Sequence, residues 1–167
     1  EDYNEEYLKK FPFYSDQDKR FRFLRDKILF EKDYFSVMDS MLLNKNYNKA
    51  NEKKRLLMNI SDLKILEKSN HIIGLHSSSH PTFIDKLNPV EQYNEYKENK
   101  DFLEKNISQE IISMSHPCGR YNQETLNILK ELKIKVGFRS SMFPNYINTN
   151  LEVPREDHTN IIKKFNL

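Results

Sequence analysis

NHIIGLHSSSHP, residues Asn70–Pro81, is the stretch whose reading decides the fold. It opens on a short apolar run, Ile72-Ile73-Gly74-Leu75, of the length and composition of a buried strand. The run ends in two imidazoles, His76 and His80, set four residues apart with three serines between them and Pro81 straight after. A strand that gives way to a polar, histidine-bearing turn is where an α/β protein places its chemistry, because groups there project from a rigid end into a crevice. A His-x-x-x-His pair closes on one divalent metal if both rings face the same side, with Zn–N distances of roughly 2.0–2.1 Å. Two ligands do not complete such a site, so a third has to come from elsewhere.

Outward from this segment, helix and strand signals alternate. On its amino side, Ser61 is a helix-capping residue ahead of Leu63 and Leu66, and the helix is predicted to end near Ser69-Asn70, followed by a strand over His71–Leu75. On its carboxyl side, Asn88-Pro89-Val90-Glu91 combines an Asx cap, proline at the first helical position and glutamate three residues after the cap. That helix is expected to run to about Lys105, with Val90, Tyr93, Tyr96 and Leu103 inward. Ile111–Met114 reads as the next strand, Asn122 as the cap of a helix through Leu126, Leu129 and Leu132, Lys135–Phe138 as a further strand and Leu151–Val153 as a last one. Strands separated by helices of this length are βα units of a parallel sheet, whose working face is the carboxyl end of the strands. Three polar constellations fall there: His76–His80, Ser115–Asn122 (SHPCGRYN) and Arg155–His158. The second passes through Pro117 and Gly119. Such a turn can aim backbone N–H groups at an anionic oxygen, helped by the positive end of the following helix; taken alone it reads equally as an ordinary Pro/Gly turn with a good cap.

Residues 1–60 read as polar and helical. Phe21, Leu24 and Ile28, then Phe35, Met38 and Met41-Leu42, form a 3.6-type stripe with a break near Glu31–Asp33, and this stripe is expected to be core. Phe11, Phe13 and Tyr14 are placed to pack under the first helix, and Asn44–Lys54 reads as a solvated loop or frayed helix end. The expected division is a helical cover or insertion over residues 1–60 and the α/β domain over 61–167.

Composition bounds the function. The 167 residues suffice for a single well-formed core. A net charge of +2 from 27 basic and 25 acidic residues scattered along the chain gives no basic face, so nucleic acid is not an expected partner. Three glycines and no Gly-x-Gly-x-x-Gly or Walker sequence argue against a phosphate-cradling loop. Cys118 stands alone, so there is no internal disulfide framework. No apolar run approaches membrane-spanning length. The chain begins at Glu1 and no signal peptide is visible; a complete chain of this sequence would be expected in the cytoplasm. Oligomeric state is not encoded in any recognisable pattern.

GLHSSSHP (Gly74–Pro81), then a helix, a strand and SHPCGRYNQETLNILKELKIKVGFRSS (Ser115–Ser141), resembles the later half of the polysaccharide deacetylase domain, the NodB-type fold of carbohydrate esterase family four. That family carries a Gly-x-His-(Ser/Thr)-x-x-His-Pro segment, then a strand ending in a Pro-Tyr-Gly-x-Tyr-Asn-type turn, then a helix stepping into a strand. The resemblance covers roughly Ser61–Ser140, and the paired motifs at this separation make it fairly specific.

The resemblance implies an α/β fold, a partial, deformed (β/α) barrel with a helical N-terminal segment. It implies a divalent metal, most often zinc, held by His76 and His80 with an aspartate as third ligand, and hydrolysis of an N-acetyl or O-acetyl group on a saccharide polymer or its precursor. The turn Pro117-Cys118-Gly119, with Tyr121 behind it, matches the segment that offers a backbone N–H to the oxyanion. Departures are equally specific. The family's first strand ends in Thr-Phe-Asp-Asp, supplying the base and the third ligand; no Asp-Asp pair occurs in this sequence, so the chain reads as a fragment or truncated form. Ser115 stands where many members carry an arginine that braces the base, and His116 and Cys118 stand where aromatic residues are common. In Pro154–His158, Arg155 is the candidate brace, Asp157 the candidate base and His158 the candidate leaving-group acid. The alternative is a non-catalytic remnant that binds a saccharide, a metal or a protein.

Overall fold

The computed structural model describes residues 14–29, 31–48, 56–144, 146–156 and 158–165. The chain divides into two compact units, residues 1–57 and 58–167.

In the first unit, α1 (Asp16–Phe23) is capped by Ser15, whose hydroxyl oxygen accepts the Asp18 N–H at 3.1 Å. A π-type turn over Leu24–Ile28 follows, closed by Leu29 N–H donating to Leu24 O at 2.8 Å, and then α2 (Glu31–Asn44). Here the expected core stripe is corrected. Phe21, Leu24, Ile28, Phe35 and Met41 are exposed, and Phe23 is the buried position. The wider i→i+5 turn breaks the 3.6-residue repeat on which the stripe was read. The break falls at Leu29, ahead of the expected Glu31–Asp33, which already belong to α2. Arg22 stacks over Tyr14 at 3.7 Å. Phe11, Phe13 and most of the expected loop up to Lys54 lie outside the described residues.

The second unit begins with α3 (Ile60–Lys68), capped by Asn59 rather than Ser61. Two capping residue types stand two positions apart, and Asp62 decides between them: Asn59 Oδ1 accepts the N–H groups of Ser61 and Asp62, while the Asp62 carboxylate accepts the Asn59 N–H at 2.8 Å. After a left-handed Asn70, the predicted strand shrinks to one pairing residue, Leu75, bridged in parallel to Met114. Gln109 Nε2 donates to Ile73 O at 2.7 Å, taking a carbonyl that a longer ladder would need, and Ile72 is turned to solvent.

Next comes α4 (Pro89–Asn106), with the expected Asn88/Glu91 capping box and Pro89 in the first turn. Gln92, Tyr96 and Leu103 are buried and Tyr93 partly so, whereas Val90 is exposed. Two positions before Gln92, Val90 lies about 200° round the helix from the inward face, which corrects its expected inward place. Strand β1 (Ser113–Ser115) sits about one residue later than predicted and pairs in parallel with β2 (Val136–Phe138), Met114 opposite Gly137. Between them, α5 (Gln123–Glu131) is capped by Asn122 in reciprocal bonds with Thr125. The last strand reduces to a parallel bridge between Val153 and Phe138. A Cβ at Gly137 would meet Leu151 O at 2.5 Å, so this close approach requires glycine. Finally, α6 spans His158–Phe165.

The spatial order is therefore Leu75, β1, β2, Val153, all parallel. The fold is mixed helix and sheet of the partial NodB type, and among the described residues the row does not close into a barrel. Leu75, Met114, Tyr96, Ile111, Leu126, Leu129 and Leu151 form one apolar core. Across it, buried Thr125 Oγ1 donates to Gln92 Oε1 at 2.6 Å and Gln92 Nε2 donates to Leu87 O at 2.9 Å, so that α4 and α5 share a satisfied polar link. Among the described residues no helix is long and apolar enough to cross a membrane.

Candidate active site

His76 immediately follows the Leu75 bridge, and His116 immediately follows β1. His76 Nδ1 lies 2.7 Å from Ser115 O. A carbonyl oxygen can only accept, so Nδ1 carries the proton and Nε2 keeps its lone pair. This is how a metal-binding histidine is ordinarily prepared, with the second nitrogen held by an acceptor. The His80 ring lies 4.8 Å from that of His76, centroid to centroid, tilted by 55°. The protein around His76 withdraws water from the ring and pushes its pKa below the usual 6.5; the bond to Ser115 opposes this, and the charges of His80 and Arg155 add to the lowering. Arg155 is exposed but is thus electrostatically part of the surroundings of His76.

The turn after β1 is a single 3-10 turn over Pro117–Gly119. Cys118 (φ 53°) and Gly119 (φ 67°) are both left-handed. Gly119 N–H donates to His116 O and Arg120 N–H to Pro117 O, each at 2.9 Å, so those two groups are committed within the turn. Cys118 is exposed and Pro117 is buried.

Beneath the turn lies a polar layer. Buried His116 donates from Nε2 to Leu151 O at 2.8 Å, and its Nδ1 finds no partner among the described residues. Burial pushes its pKa down, against the bond to Leu151 and the charge of Glu152, with His76 adding to the lowering. Its ring stacks on Tyr121 at 4.3 Å. The Tyr121 hydroxyl donates to Glu152 Oε1 at 3.1 Å, and the Thr149 hydroxyl donates to Glu152 Oε2 at 3.0 Å. Burial, then the contact with Glu152, pushes the Tyr121 pKa up. Buried Arg139, the residue after β2, donates to Pro144 O.

Several of these groups escape a reading of the sequence. Glu95 and Asn99 of α4 hold the histidine loop. Glu95 accepts from Ser78 and Ser79, and Asn99 Oδ1 accepts the His76 N–H at 3.1 Å. Their i, i+4 spacing on the helix after the histidines was the available signal. Arg139 and Glu152 each adjoin a strand residue, a signal too common to single them out. His158 is the exposed first residue of α6, and Glu156 accepts from Asn160 Nδ2 at 2.8 Å. Asp157 lies outside the described residues.

The family model for polysaccharide deacetylases matches residues 43–137. The chain belongs to the polysaccharide deacetylase family. Two solved structures share the fold. The Streptococcus pyogenes deacetylase PplD, in complex with acetate, matches with a TM-score of 0.56 and 21% identity, over 91% of this chain and 77% of that one. The deacetylase domain of BpsB from Bordetella bronchiseptica matches with a TM-score of 0.52 and 14% identity, over 59% of this chain and 48% of that one. A mutant of a CE4 family pseudoenzyme matches at a TM-score of 0.44 over 46% of this chain, too distant to carry an argument. No curated protein sequence matches the chain.

Within the polysaccharide deacetylase match fall His76, His80 and the turn from Pro117 to Tyr121, whereas Arg155, Asp157 and His158 follow it. The fit to a metal can be judged from the donors. Two neutral imidazoles, one tautomer fixed by Ser115, suit two coordination positions. Among the described residues no group of three or more His, Cys, Asp or Glu side chains could hold an ion.

Proposed function

We propose that residues 61–167 carry part of the active site of a metal-dependent deacetylase acting on an acetylated saccharide, with His76 and His80 as two ligands of a divalent ion, zinc by preference. The observation that supports it best is the pair of rings 4.8 Å apart at the carboxyl ends of parallel segments, with His76 Nδ1 fixed on Ser115 O. Such an ion, when bound, polarises an acetyl carbonyl and acidifies a water.

The chain's own groups have the following parts in this reading. His76 and His80 present nitrogen lone pairs. In the Pro117–Gly119 turn, the N–H of Cys118 is the candidate oxyanion donor, since that of Gly119 is spent on His116 O. Tyr121, stacked on His116 and bonded to Glu152, keeps that turn in place. Arg155 is the candidate brace for the base, with Asp157 the candidate base and His158 the candidate acid near the leaving amine. A general base contributes 10²–10⁴-fold to such a hydrolysis, and the Asp-Asp pair that supplies it in the family is missing from this sequence. Among the described residues no third ligand joins the histidines, which favours a second reading, a non-catalytic module that binds saccharide or metal.

Acetate release from an N-acetylated oligosaccharide, with zinc added, separates the readings. The chain as given is expected to turn over at least about 10²-fold more slowly than one extended ahead of residue 1 by a strand ending in Asp-Asp. Brisk turnover by the short chain, abolished by Asp157→Asn, would place the base in Asp157. A well-folded extended chain that stays inactive would establish the binding module instead.

A further inference from the structure

We propose that Glu95 is a positioning residue for the histidine pair, a built-in anion around which the loop carrying the two imidazoles is wound. The inference rests on His76 and His80 being the metal ligands. Three serines separate the two histidines, and nothing in Ser-Ser-Ser favours the loop's conformation. Ser77 (φ 82°) and His80 (φ 58°) are both left-handed, which side-chain-bearing residues adopt only where the surroundings over-determine it. The surroundings here are the side of α4. Glu95 Oε2 accepts the N–H of Ser78 at 3.0 Å and of Ser79 at 2.8 Å, and Glu95 Oε1 accepts the Ser79 hydroxyl at 2.6 Å. The backbone oxygen of Glu95 also lies 3.0 Å from Ser78 N.

Successive backbone N–H groups converging on one negative charge form an anion nest, and here the anion comes from the protein itself. Bonds to an ionised acceptor are roughly twice as strong as neutral ones. One turn along the helix, Asn99 fixes the His76 N–H, and inside the loop Ser77 Oγ accepts the His80 N–H at 3.1 Å. The loop is therefore tied at His76, Ser78, Ser79 and His80, with Glu95 making the central bonds. Because both of its oxygens are engaged, Glu95 acts through the histidines and is not itself the missing ligand.

The test compares the full chain with Glu95→Gln and with the His76→Ala/His80→Ala double variant. Glutamine keeps the length of the side chain but removes the charge and turns one acceptor into a donor facing N–H groups. Without metal, Glu95→Gln is expected to speed amide hydrogen exchange at Ser78 and Ser79 at least about tenfold, leave Leu103 and Leu129 protected, and abolish the nuclear Overhauser contacts between the His76 and His80 rings. With zinc alone as probe, calorimetry should show about 10–100-fold weaker binding, the usual effect of removing a group that orients a ligand. Unchanged exchange and retained ring contacts would overturn the proposal whatever zinc does. Faster exchange with undiminished zinc affinity would overturn the positioning role. If wild type and the double variant take up zinc equally, the metal reading fails, and the ring contacts still decide whether Glu95 aims the pair.

Discussion

At Gly119 a single hydrogen atom in place of a side chain lets the turn beside the histidines exist. Its φ of 67° is left-handed, and a Cβ there would come within 2.0 Å of Ser140 Oγ and 3.0 Å of Ser140 Cβ. Gly119→Ala is therefore expected to destabilise the chain by about 1–2 kcal/mol from backbone strain alone, measured as a lower midpoint in urea unfolding at unchanged slope. An unaltered midpoint would mean the turn can adopt another conformation. That Pro-Cys-Gly would turn is legible from the residue types. That Cys118 also has φ of 53° is not, because cysteine has no preference for that region. His76 and His80 stand out in the sequence for their chemistry. Glu95 does not, because a glutamate in a charged helix looks like any solvated residue until Ser78 and Ser79 are seen bonded to it.

Elements were legible in proportion to how far local chemistry alone specifies them. The boundaries of α4 and α5 follow from Asn88 and Asn122, whose caps close through Glu91 and Thr125. The strands are shorter than their apolar runs suggest, because pairing depends on partners remote in sequence: Leu75 and Val153 each make a single bridge. The segment from His116 to Tyr121 is an element whose stability should depend on pH. Burial holds the His116 pKa below its ordinary 6.5, so below about pH 6.5 the unfolded chain takes up a proton that the folded one refuses. Stability is complete above that value and falls as the pH drops through it. The slope is at most about 1.4 kcal/mol per pH unit for this one proton. His76, lowered in the same direction, adds to the fall. In His116→Phe, the ring stacked on Tyr121 is kept and the titration removed, so urea unfolding between pH 7.5 and 5 should show a shallower decline than wild type. Parallel declines would assign the acid sensitivity to other groups.

On the scale of the molecule, the alternation of helix and strand was sufficient to predict parallel segments with their polar turns at one end, and the order Leu75, β1, β2, Val153 has that form. The helical stripe of residues 1–60 was misread because a π-type turn breaks its period. The central claim concerns what the two histidines at that end do together. It is tested most directly by calorimetric titration of the chain with zinc, beside its His76→Ala/His80→Ala double variant at the same pH. With two imidazoles and water filling the remaining positions, the account predicts weak, one-to-one binding by the chain, well below the affinity of a complete protein site, and none by the double variant. Equal uptake by both would contradict it.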